Sequence, residues 1–127
     1  MLRTTLLTLL LALGGMTAAT TALADVKTEA AALKAMKNAQ KDFVAAKYGA
    51  GIQKLQRALK ACGTKKCSDE VRADLLRDIG AQQFRKGDKK GAHKSWSAAL
   101  KIVPSLTLSA TYDLSLIHIS EPTRQAE

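Results

Sequence analysis

Apolar residues recur every three or four positions along four stretches of this chain, and each stretch ends in residues that stop a helix. Residues 26–59 are rich in alanine and lysine and contain no proline. Leu33, Met36, Phe43 and Val44 recur there at helical spacing with lysines between them, which predicts an amphipathic helix. Tyr48-Gly49-Ala50-Gly51 breaks helix propensity and predicts a turn. Ile52, Leu55, Ala58 and Leu59 then restore the helical spacing. A loop follows at Gly63-Thr64-Lys65-Lys66.

Ser68 suits an N-cap, and Asp69 and Glu70 suit a first turn, where negative charge opposes the helix dipole. A third helix is predicted over residues 69–86, with Val71, Leu75, Leu76, Ile79 and Phe84 as its apolar positions. Gly87-Asp88 closes it. A fourth covers residues 89–103, with Ala92, Trp96, Ala99 and Leu100 facing inward, and Pro104 stops it. The pattern predicts an all-α domain of two antiparallel helix pairs.

The two pairs are copies of one plan. A shift of 41 residues lays Phe43 on Phe84, Gly51 on Ala92, Leu55 on Trp96, Ala58 on Ala99 and Leu59 on Leu100. Ala39 falls on Gly80. Small residues let the helices of a pair approach closely, and large ones plug the gap between them. In this pattern both units resemble tetratricopeptide repeats. Gly80, Phe84, the Gly87-Asp88 turn, then Ala92, Trp96, Ala99, Leu100 and Pro104 carry the resemblance in the second unit. Ala39, Phe43, Tyr48, Gly51, Leu55, Ala58 and Leu59 carry it in the first, where Gly63 stands in place of the usual proline. The family period is 34 residues, so the cysteine loop would house the extra residues. The resemblance implies a short α-solenoid whose first helices line a groove for a peptide or protein segment. It places Met36, Gln40 and Phe43 in that groove from the first unit, and Arg77, Ala81 and Arg85 from the second.

Both ends of the chain read differently from this domain. Arg3 precedes an uncharged run, residues 6–13, with six leucines among eight residues. Ala22-Leu23-Ala24 then supplies the small residues a signal peptidase needs, so cleavage is expected between Ala24 and Asp25. The run is well short of the roughly 20 residues of a spanning helix, which disfavours the alternative of a retained anchor. The expected location is the periplasm or envelope of a bacterium. At the other end, residues 114–124 resemble the conceptual translation of a transposase-based sequencing adapter, with residues 125–127 as a sample index. Taken at face value, the same alternation would read as an edge strand. The expected organisation is a signal peptide at 1–24, the repeat domain at 25–104, the start of an incomplete continuation at 105–113 and an adapter-derived tail at 114–127.

Cys62 and Cys67 are the only cysteines, and they flank a glycine-containing loop. In an exported chain that pairing predicts a structural disulfide. A redox pair is the sharper alternative, since flanking lysines would lower a thiol pKa, but the spacing is not the two-residue redox spacing. Two cysteines are too few ligands for a metal site. His93 is the only histidine before the tail, which leaves no Ser-His-Asp arrangement, and no glycine-rich phosphate loop is present. No catalytic residue, cofactor or metal is expected. Asp69, Asp74 and Asp78 beside Arg72 and Arg77 read as surface ion pairs.

Residues 25–113 carry fourteen lysines and four arginines against seven aspartates and two glutamates, a net charge of +9. Nucleic acid is not the expected partner, because export and scarce aromatics argue against it. A weak contact with anionic envelope surfaces fits the compartment better. The expected function is a helical-repeat interaction module that binds a peptide or protein in the cell envelope. Alternatives are an accessory domain of a longer envelope enzyme or anchor, and a basic polyanion- or cell-wall-binding protein.

Overall fold

A computed structural model describes residues 25–109 and 112. The expected leader and the adapter-like tail lie outside the described residues. Four helices run in order: α1 (Val26–Val44), α2 (Tyr48–Cys62), α3 (Asp69–Lys86) and α4 (Lys89–Ile102), with no strand among the described residues. The fold class is all-α. Each helix packs against the next, and α1 also reaches α3, but α4 has no substantial contact with α1 or α2. The helices therefore form an open stack rather than a closed four-helix bundle.

Local chemistry sets the helix ends. Asp25 caps α1 by accepting from the Lys27 amide, and the Thr28 hydroxyl donates to the same carboxylate at 2.7 Å. That hydroxyl holds the Asp25 carboxyl below its ordinary pKa. Ser68 caps α3 through the Val71 amide, and Asp88 caps α4 through the Gly91 amide. Glu29 of α1 accepts from both the backbone amide and the hydroxyl of Ser68, at 2.9 and 3.3 Å. One glutamate thus ties the first helix to the start of the third across 39 residues of sequence. Cys62 and Cys67 are bridged, with their Cα atoms 5.0 Å apart, so the end of α2 is pinned to the entry of α3.

The first interhelical turn lies earlier than the sequence predicts. α1 ends at Val44, the turn is Ala45-Ala46-Lys47, and Tyr48, Gly49 and Gly51 belong to α2. Ala46 takes a left-handed conformation, φ 58°, and donates to Phe43 O, while the Lys47 amide donates to Asp42 O. This is a Schellman closure, and α3 ends in the same way at Gly87, φ 100°. Gly51 is needed for space instead: a β-carbon there would run into the Gln82 amide.

Which apolar residues are buried also differs from expectation. Leu33, Val44 and Leu100 are largely exposed, whereas Ala32 and Ala39 are buried, and Ala92 and Ala99 are buried as the pattern predicts. In helices that approach through small residues the alanine stripe marks the contact, and larger neighbours at its edge stay wet. One core cluster joins α1, α2 and α3 through Met36, Ala39, Leu55, Cys62, Leu75 and Ile79. A second gathers Phe43, Ala81 and Tyr112, with Tyr48, Phe84 and Trp96 against it.

Candidate functional site

Helix α3 is covered on both sides, by α1–α2 and by α4, so it buries polar side chains as well as apolar ones. Asp78 and Gln82, one turn apart, are fully buried. Asp78 is therefore not the surface ion-pair residue that the sequence suggests. Its position between layers, rather than its charged neighbours Asp74 and Arg77, decides its environment. Asp69 and Asp74 do pair near the surface, with Arg72 and Arg77.

These two side chains line a seat closed by the chain beyond α4. Pro104 follows the end of that helix, and residues 106–109 run without regular structure. Tyr112 is fully buried, with its ring edge-on to Phe43 of α1 at 4.7 Å. Phe43 in turn meets Tyr48 edge-on at 5.6 Å. Gln82 donates to the Ala39 carbonyl at 2.7 Å, a buried bond that ties α3 to α1. Arg77 donates to Asp78 at 2.9 Å, to Asp74 at 3.0 Å and to the Thr107 carbonyl at 3.2 Å. The Arg77 carbonyl accepts from the Trp96 indole at 3.1 Å, and the indole fills the space beside Gly80.

Burial pushes the Asp78 carboxyl up to about 6, against the pull of the Arg77 guanidinium. Burial likewise raises the Tyr112 phenol above its ordinary range. Asp78 Oδ2, Gln82 Oε1 and the Tyr112 hydroxyl make no well-aligned hydrogen bond, although Gln82 lies close enough to the phenol to offset part of the effect of burial. Beside the seat, Arg77, Trp96, Ala99 and Leu100 face Leu106 and Leu108 across an apolar cavity of about 230 Å³.

The structure distributes the six expected groove residues unevenly. Phe43 and Ala81 lie beneath Tyr112, and Arg77 is largely covered while holding Thr107. Met36 is in the core between α1, α2 and α3. Gln40 is half-buried beside Lys37 and Lys41, and Arg85 is exposed. Sequence reasoning missed Asp78, Gln82 and Tyr112 as site residues. The four-residue spacing of Asp78 and Gln82 on a helix was a usable signal, but nothing in it indicated burial.

A second depression separates α1 from α2 on the far side of the first pair. Alanines 31, 32, 35, 58 and 61 form its floor, and Lys34, Lys54 and Arg57 stand at its rim. Lys54 pairs with Asp42, and no acidic residue lies on α2 itself.

Among the described residues no cluster of three His, Cys, Asp or Glu side chains is placed to hold a metal, and no helix is long and apolar enough to cross a membrane. His93 is exposed on α4, edge-on to Trp96. A buried acid, an amide and a phenol in an apolar cleft can hold a polar group in place. No nucleophile is paired there with a base. No family model, curated protein or solved structure matches the chain.

Proposed function

We propose that this chain is an exported, tetratricopeptide-like interaction module whose α1–α3 face binds a peptide or protein segment in the cell envelope. The observation that carries the reading is the 41-residue correspondence in three dimensions. α2 begins at Tyr48 and α4 at Lys89, and Schellman turns centred on Ala46 and Gly87 precede them. Two equivalent helix pairs in an open stack leave a continuous face built from their first helices. The disulfide is compatible with an oxidising compartment.

The test is partner recovery from a bacterial host by crosslinking of the tagged chain, expressed with its leader. Arg85→Glu and Gln40→Lys alter exposed or half-buried positions of the binding face. They are expected to cut recovery of the partner about tenfold, the size of effect that loss of an interface anchor produces. Lys60→Glu, on the exposed side of α2, is expected to leave recovery unchanged. Equal recovery with all three variants, or a product confined to the cytoplasm, would end this reading.

A further inference from the structure

We infer that the depression between α1 and α2, on the side away from α3, is a docking groove for an acidic amphipathic helix of a partner protein. It is a second surface, separate from the α1–α3 face, so loss of binding at either leaves the other intact.

Three observations support it. The groove has the shape of a helix seat. α1 and α2 alone line it, over about 420 Å³, and five alanines form its floor. Short side chains on both walls let another backbone come as near as packed helices do, about 8–10 Å between axes. The internal repeat then says what kind of face this is. The 41-residue shift lays Lys34 on Leu75 and Asn38 on Ile79. Leu75 and Ile79 are buried where α3 stacks on the first pair. The first pair thus turns outward the helix face that the second pair uses for stacking, with a cation and an amide in place of the apolar residues. A terminal unit needs a polar outer face for solubility, but here the polarity has one sign. Lys34, Lys54 and Arg57 stand at the rim, no acidic residue lines the groove, and α2 carries none at all. Lys54 pairs with Asp42, while among the described residues no ion pair engages Lys34 or Arg57.

Charge complementarity selects the occupant. Carboxylates along the flanks of a helix meet the rim cations, and small apolar residues between them meet the alanine floor. A second copy using this same face would bring lysine against lysine. A flexible polyanion would leave the methyl floor uncovered.

The probe is a fluorescein-labelled peptide of about 18 residues, long enough to be helical in water, with an alanine face flanked by glutamates. It is titrated by anisotropy against the full mature chain in about 0.1 M salt, where exposed charges still act over short range. Saturable binding is expected, and the same peptide with glutamine in place of glutamate should bind at least about tenfold more weakly. Lys34→Glu combined with Arg57→Glu should weaken the glutamate peptide by at least about tenfold. Lys101→Glu, on α4, should leave its affinity within about twofold. Ala31→Trp keeps every charge but fills the groove, and a loss of about tenfold is expected there too. All of these positions are exposed, so the changes leave the fold intact. No saturable binding by the parent overturns the proposal. So does unchanged affinity in Ala31→Trp, since charge alone would then hold the peptide. Equal affinity for polyglutamate of the same length, which has no apolar face, overturns it in favour of a polyanion. Retention on phosphatidylglycerol vesicles without peptide binding overturns it in favour of a membrane surface. A parent chain that sediments as a dimer, and is made monomeric by Lys34→Glu with Arg57→Glu, overturns it in favour of a second copy.

Discussion

The first and second helix pairs follow one path but hold their helices together by opposite means. In α1–α2 the approach is closed by small residues around Leu55: Ala39 and Gly51 are buried, and the aromatic contact of Phe43 with Tyr48 lies at the turn end of the pair. In α3–α4 the place of Leu55 is taken by Trp96, and Gly80 replaces Ala39 to make room for the indole. The indole then gains a hydrogen bond to the Arg77 carbonyl that leucine cannot make. The outer faces differ as well. The first pair ends in a bare alanine floor between cations, while the second is covered by residues 106–108. A shared backbone slot thus tolerates different fillings, provided the residue opposite changes in step.

The two glycines in these slots break the comparison most sharply. A β-carbon on Gly80 would collide with the Trp96 indole, a rigid ring held by its own hydrogen bond. Gly80→Ala should therefore cost about 4 kcal/mol, combining overpacking with loss of that bond. A β-carbon on Gly51 meets the end of Gln82, which can swing away. Gly51→Ala should cost only about 1–2 kcal/mol, mainly the Gln82–Ala39 bond. Urea unfolding of both variants measures the difference. Equal losses would mean that the two slots are equally deformable.

The next contrast is electrostatic, because the first pair has no counterpart to Asp78 among its buried residues. The native state raises this carboxyl from 3.8 to about 6 and so favours its neutral form. Burial then costs nothing extra when the acid is protonated in both states, below about pH 4. Stability falls as pH climbs from about 4 to about 6, and the loss is complete above that range. Asp78→Asn keeps an acceptor for Arg77 and removes the titration. Its stability relative to the parent should improve on the order of 3 kcal/mol between about pH 3 and pH 7. Thermal melts of the two proteins across that range test the sign. A difference that is flat with pH would show that Asp78 titrates as it does in the unfolded chain.

The sequence pattern made the helices, the Ser68 cap and the cysteine bridge legible, because each depends on residues near one another in the chain. It misplaced the first turn for an instructive reason. Propensity pointed to Gly49 and Gly51, yet the 41-residue shift lays Ala46 on Gly87, the true turn residue. The internal repeat therefore located the turn better than composition did. It also misjudged α3, whose charged spacing at Asp74, Arg77 and Asp78 resembles a solvated face. Only the stacking of helices on both sides buries Asp78 and Gln82, and that is tertiary information. Of the candidate site, Phe43, Arg77 and Ala81 were legible as positions on first helices. The seat they share was not, since it exists only when Tyr112 returns over them from beyond α4.

The smallest effect lies in the two turns themselves. Ala46 and Gly87 hold the same left-handed position, but only glycine adopts it without a steric penalty. An alanine there costs roughly 1–2 kcal/mol of strain. It recovers roughly 0.5–1 kcal/mol because the unfolded chain has less freedom to lose. Ala46→Gly should therefore stabilise the protein by about 0.5–1 kcal/mol, and Gly87→Ala should destabilise it by a similar amount. The Gly87 change is clean, because a β-carbon there meets no atom within 4 Å. Ala46 is exposed, so its replacement loses little packing. The double exchange moves the strained turn from the first pair to the second and should leave the urea midpoint near that of the parent. A double variant well below the parent would show that the turn after α3 bears more on stability than the turn after α1, a difference that backbone strain alone does not produce.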